Sequence, residues 1–177
     1  MAHYQEISNP ALDARARERY SKEIVSLEKL GFRYLASCLE SHGPFSAIWQ
    51  LPVLLLTLPK KEILVFPRPL RLAIANTLLC RSDPPTIALC MGMGVKLYTS
   101  FSDGTILISS TFQSYAVLLP GSTIIKPVPS LTIDEAWTNH TATVKRLESA
   151  RGAVRDVRNF GGYVMLSRQE EDRSQYQ

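Results

Sequence analysis

The sequence predicts an α+β fold, an antiparallel sheet of about five to seven strands with two long amphipathic helices, one N-terminal and one C-terminal, packed on one face. Three observations carry this expectation. Capped segments with helical apolar spacing stand at residues 9–31 and 132–158. Short apolar and β-branched runs fill the chain between them. One of these runs is folded back on the next by Asp103-Gly104, a hairpin-turn pair.

The first helix opens at Asn9-Pro10. The Asn9 side chain can accept from first-turn amides, and Pro10 stands where a missing amide hydrogen costs nothing. Leu12, Ala16, Tyr20, Ile24, Leu27 and Leu30 make one apolar stripe, and Gly31 stops the helix. Phe32 to Leu39 then alternates as a strand, with Phe32, Tyr34, Ala36 and Cys38 on one face.

Leu51 to Leu58 is almost wholly apolar and reads as a central strand buried on both faces, with Glu62 to Phe66 returning beside it. Pro67 to Cys80 fits either helix or strand; the prolines at its start favour helix. Thr86 to Met91 is a short strand. Val95 to Thr111 is the hairpin, and its Asp103-Gly104 suits a two-residue type I′ turn. A further strand is expected at Tyr115 to Leu119 or Thr123 to Val128. Thr132-Ile133-Asp134-Glu135 is a capping box, and Ile133, Trp137, His140, Val144 and Leu147 continue it as an apolar stripe toward Arg158, with a break near Gly152. Phe160 to Leu166 reads as an edge strand. Residues 1–167 thus form one domain, and residues 168–177 a disordered polar tail.

The chain has 177 residues, 45% of them hydrophobic and 20% charged, values of an ordinary packed protein. Its net charge of +4 is spread over the chain, so nucleic acid is not the expected partner. Cys38, Cys80 and Cys90 are odd in number and lack metal-ligand spacing. They read as small core residues in a reducing compartment, which with the lack of an N-terminal apolar run gives a cytoplasmic expectation. The most apolar region, Ile48 to Phe66, is broken by Pro52, Pro59, Lys60, Lys61 and Glu62 and cannot span a bilayer, although peripheral membrane contact is compatible with the sequence.

No Walker loop, nucleophile elbow or zinc motif is present, and no cofactor or metal is expected. Gly92-Met93-Gly94 precedes a strand rather than a helix, so it reads as a bend and not a phosphate loop. His140 is the most informative single residue. It lies beside Trp137 in an apolar stripe, either as a core histidine bonded to a neighbour or, with Trp137, as part of a ligand site. Arg151, Arg155 and Arg158 are spaced to share one helix face, a candidate ridge for an anionic partner.

The helix ending Leu30-Gly31-Phe32, the hairpin Phe101-Ser102-Asp103-Gly104-Thr105 running to Ser110, and the late helix carrying His140 together resemble a loose group of small bacterial α+β proteins. That resemblance implies the α+β layout and no activity. The function read from these residues is a non-catalytic accessory or interaction module that binds another protein as a subunit of a larger complex. A small-molecule or anionic-ligand domain is the first alternative. An enzyme built around His140, with Cys38 or Cys90, is the second.

Overall fold

A computed structural model describes residues 3–41, 64–65, 72–112 and 124–174. Eight strands form one sheet: β1 (His3–Glu6), β2 (Arg33–Ser41), β3 (Leu64–Val65), β4 (Leu72–Ser82), β5 (Pro85–Met91), β6 (Gly94–Ser100), β7 (Ile106–Ser110) and β8 (Ile124–Ile125). The ladder runs β1-β2-β4-β5-β6-β7-β8, with β3 paired to the start of β4. Every pairing is antiparallel except β7 with β8, which is parallel. Four helices accompany the sheet among the described residues: α1 (Pro10–Arg19), α2 (Ser21–Lys29), α3 (Ile133–Arg151) and α4 (Phe160–Ser174).

The two faces of the sheet are closed by different elements. On the front face, Leu79, Ala88, Cys90, Val95 and Leu97 pack against Tyr20 and Leu27 of the N-terminal helices and Ala136 and Trp137 of α3. On the back face, Leu78, Ile87, Leu89, Tyr98, Ile106 and Ile108 pack against Val157, Tyr163 and Leu166. Ile87 to Cys90 shows why this is possible. Successive residues are apolar and point to alternate faces, so both faces of β5 need a cover.

The predicted α+β class and the packing of N-terminal and C-terminal helices on one face are present in the structure. Asn9 Oδ1 accepts from the amides of Ala11 and Leu12, at 2.9 and 3.3 Å. The helix is two helices rather than one, with Tyr20 between them in a non-helical conformation. Tyr20 is buried, and its hydroxyl donates to the Ala75 carbonyl oxygen of β4 at 2.9 Å, which ties the break to the sheet. The Thr132 capping box forms in full.

Several expectations are corrected. Residues 72–80 are strand, not helix. β4 gives its backbone groups to β2 on one side and to β5 and β3 on the other, and this ladder outweighs the prolines upstream. The alternation predicted for β2 is interrupted, since the register slips between Tyr34 and Ala36; Phe32 joins the front core and Cys38 the back. The β6–β7 hairpin turns through Phe101–Thr105 with only Gly104 at positive φ (+85°), so a type I′ turn is excluded. Gly104 N donates to Phe101 O, and Phe101 N to Thr105 O, closing a three-residue loop in which Asp103 accepts from the amide and hydroxyl of Thr105.

Phe160 to Leu166 is not an edge strand, and residues 168–174 are not a loose tail: both belong to α4. Asn159 starts this helix, its Oδ1 accepting from Gly162 N at 2.7 Å. A Cβ on Gly162 would stand 2.2 Å from the Val157 carbonyl oxygen, so glycine is what lets the helix turn so closely on its connector. The expected strand at Leu51 to Leu58 and the one at Tyr115 to Leu119 lie outside the described residues.

Candidate functional site

Burial and hydrogen bonding single out the His140 environment on the front face. The ring is fully buried and stacks 6.0 Å from Trp137 at 21°. Trp137 is closed from its other sides by Phe32, edge-on at 5.0 Å, and by the Arg81 guanidinium, 4.6 Å from its ring centre. Arg81 is fixed in turn by bonds to the carbonyl oxygens of Leu30 and Asp83. Trp137 and His140 therefore come together, as their helical spacing predicts, with Phe32 and Arg81 packed on the indole.

Both ring nitrogens of His140 are engaged. Nδ1 lies 2.8 Å from Ser109 Oγ, and Nε2 lies 2.8 Å from Thr99 Oγ1. Thr99 Oγ1 is 3.0 Å from Thr86 Oγ1, which donates to the Pro84 carbonyl oxygen at 3.0 Å. Counting protons along this chain assigns the tautomer. With hydrogen on Nε2, Ser109 donates to Nδ1, Nε2 donates to Thr99, Thr99 donates to Thr86, and Thr86 donates to Pro84. Each of the four contacts of 3.0 Å or less then holds one proton, while the longer contact from Thr99 Oγ1 to the Pro85 carbonyl oxygen, at 3.4 Å, holds none. With hydrogen on Nδ1, Thr99 must donate to the ring, and Thr86 then has one proton for two contacts. Burial pushes the His140 pKa down to about 3, so the ring is neutral at ordinary pH.

This arrangement is a poor fit to acid–base work. A general base needs a free lone pair that substrate can reach, whereas the one lone pair of this ring accepts from buried Ser109. Cys38 belongs to the opposite face of the sheet. Cys90 shares the front core, but the imidazole already spends both nitrogens on hydroxyls. Burial pushes both thiols up to about 12, away from the nucleophilic thiolate. Among the described residues no three His, Cys, Asp or Glu side chains gather as a metal site, and no helix is long and apolar enough to cross a membrane.

The three arginines do not form a helix ridge. Gly152 ends α3 at φ +82°, so only Arg151 is helical, and it lies 3.7 Å from Asp103. Arg155 sits on the connector, where its amide donates to the Ser100 carbonyl oxygen. Arg158 is held by both carboxylate oxygens of Asp156 and by Ser82 Oγ at 2.6 Å. Their helical spacing is undone by the glycine between them.

A surface feature absent from the sequence reading lies on the outer side of α3. A groove of about 440 Å³ runs between Pro127 and Val128 on one wall and Asn139, Ala142, Thr143 and Arg146 on the other. Val128 is 88% exposed and Leu131 93%. The backbone that follows Val128 is held at Ser130 and Leu131. Ser130 N donates to the Ser110 carbonyl oxygen at 3.0 Å, Asn139 Nδ2 donates to Ser130 Oγ at 3.2 Å, and Leu131 N donates to Glu135 Oε2. The only signal in the sequence was an apolar residue before the capping box, at the position that usually packs onto the first turn. Compared with protein-family models, with curated proteins and with solved structures, the chain shows no match.

Proposed function

We propose that the chain is a non-catalytic interaction module acting in the cytoplasm, and that it binds a partner protein through the groove beside α3. The observation that carries this reading is the pair of exposed apolar side chains, Val128 and Leu131, on a backbone anchored at Ser130 and Leu131. Scattered exposed leucines are common, but here nearly bare Val128 lines a groove, and nearly bare Leu131 follows it on a backbone held at Ser130 and Leu131. Arg146 at the rim adds a polar contact of the kind that surrounds apolar anchors at interfaces. The His140 chain supports the reading from another side, since it consolidates the core without presenting a reactive group.

Native mass spectrometry of the chain purified gently from its own host tests this. A stoichiometric protein partner is expected, and it is expected to be lost from the Val128→Glu/Leu131→Glu variant with the unfolding midpoint unchanged. A variant that keeps the partner would remove the groove from the interface. A chain carrying only a small extra mass would favour the ligand-binding alternative instead.

A further inference from the structure

Among the described residues that line the groove beside α3, Arg146 alone is charged, and its charge is unpaired. Glu135, Asn139, Ala142, Thr143 and Arg146 recur at three- and four-residue steps, so they share one side of the helix. The polar groups at the start of this row are already engaged. Glu135 Oε2 accepts from the amides of Leu131 and Thr132, and Asn139 Nδ2 donates to Ser130 Oγ. Arg146 has no such partner. The residues three and four places from it are Ala142, Thr143, Ser149 and Ala150, and none of them is acidic. Arg151 and Arg158 differ in this respect, since Arg151 lies 3.7 Å from Asp103 and Arg158 lies 2.5 Å from Asp156.

This layout sorts occupants by chemistry. A carboxylate can take two parallel N–H bonds from the exposed Arg146 guanidinium, and Thr143, one turn earlier, adds a hydroxyl. A cationic occupant would meet a like charge. A purely apolar one would strip water from the guanidinium and return no acceptor, which is costly. An anion alone would leave Val128, 88% exposed, uncovered beside Pro127 and Ala142. Ala142 and Arg146 are four residues apart, about 6 Å along the helix, a span of about two residues of extended chain. The volume of about 440 Å³ is that of a small-ligand site, so it receives the side chains of a short segment rather than the face of a folded domain.

We propose that the groove recognises a short acidic–aliphatic segment of the partner protein, with the aliphatic side chain on Val128 and Ala142 and the carboxylate on Arg146. This rests on the groove being the partner site and adds the partner's chemistry to it. The chain's net charge of +4 favours an acidic partner over a second copy of itself.

The test selects a phage-displayed library of random peptides, each about twelve residues long, on the full chain. Clones that also bind the Val128→Glu/Leu131→Glu variant are discarded. The remaining clones are expected to share an aliphatic residue with Asp or Glu within about three places of it. The consensus peptide, synthesised with a fluorescent label, is expected to bind Arg146→Glu at least about tenfold more weakly than the parent by anisotropy, and to weaken severalfold in about 0.5 M salt. Exchanging its acidic residue for Lys is expected to recover binding to Arg146→Glu. Arg146 is exposed, so Arg146→Glu is expected to keep the parent's unfolding midpoint, and Arg146→Gln gives a smaller loss of binding as a second reading. A groove-dependent consensus without an acidic residue, or one indifferent to Arg146→Glu, would overturn acidic recognition and leave the groove as the partner site. Selection that yields no groove-dependent clone would remove the groove itself, and this proposal with it. A chain that sediments as a dimer, but as a monomer with Val128→Glu/Leu131→Glu, would give the groove to a second copy and overturn the acidic segment.

Discussion

Replacing His140 with leucine tests the reading of the buried polar chain. Leucine fits the apolar stripe and fills a similar volume, so an account based on hydrophobicity alone expects a neutral or stabilising change. The hydrogen-bond chain gives the opposite sign. Without the imidazole, the Ser109 hydroxyl loses its acceptor inside the core, an orphan donor that costs about 1–3 kcal/mol. Thr99 loses a donated proton, worth about 1 kcal/mol, but keeps its own bond to Thr86. Extra apolar burial offsets part of this, and the expected net loss is about 1–3 kcal/mol. For a chain of this size that is a fall of about 2–12 °C in Tm. Urea unfolding measures it directly. The double variant His140→Leu/Ser109→Ala removes the orphan hydroxyl and is expected to recover about 1–2 kcal/mol, because the remaining segment still ends with every proton placed. A His140→Leu variant as stable as the parent, or a double variant less stable than the single, would refute the assigned chain.

His140 has its pKa pushed down to about 3 by burial, so the unfolded chain binds a proton there that the folded chain does not. Stability is expected to be complete above the unfolded value of about 6.5 and to fall, as pH drops toward 3, by about 1.4 kcal/mol per unit. Glu170, with its pKa lowered in the fold, acts only below the ordinary carboxylate range, so His140→Leu should flatten the slope above about pH 5 and leave the more acidic part. Gly162→Ala is expected to cost about 2–4 kcal/mol through the clash with the Val157 carbonyl oxygen, whereas Gly161→Ala, whose Cβ meets nothing closer than 3.4 Å, should stay within about 1 kcal/mol of the parent by thermal melting.

What could be read from the sequence was local. The Asn9-Pro10 start and the Thr132 capping box involve residues two or three apart, and both form as expected. The position of His140 in the stripe of α3 was equally visible, because helical spacing places it there. Its partners were not, since Thr99 and Ser109 lie 41 and 31 residues away and only the pairing of β6 with β7 presents both to the ring. A strand buried on both faces, as Asn76 to Leu79 of β4 is, has no outward polar alternation to announce it, and this is why Pro67 to Cys80 could pass for a helix. The last helix was hidden for a different reason. Gly161-Gly162 argues against a helix in propensity, yet one of these glycines is required by contact with Val157, a tertiary constraint that propensity does not contain. The polar run after Leu166 looked like a tail because its partners, Lys96, Lys126 and Tyr4, come from three distant parts of the chain.

Both faces of the sheet are closed by apolar cores, but the polar groups built into them differ in kind. On the front face the polar groups under α3 are neutral and form a directed chain ending on a carbonyl oxygen. That chain cannot be satisfied by any group that does not donate and accept at the same two points, so it ties α3 to this sheet specifically. On the back face Val157, Tyr163 and Leu166 complete an apolar core, and beside it Glu170 pairs with Lys96 and Lys126 and accepts from the Tyr98 hydroxyl. The front face is thus fixed by matched donors and acceptors, and the back face by apolar packing with a charge cluster beside it. The groove beside α3 gains from this anchoring, because Asn139, Ala142, Thr143 and Arg146 on its wall belong to the helix that the His140 chain ties to the sheet.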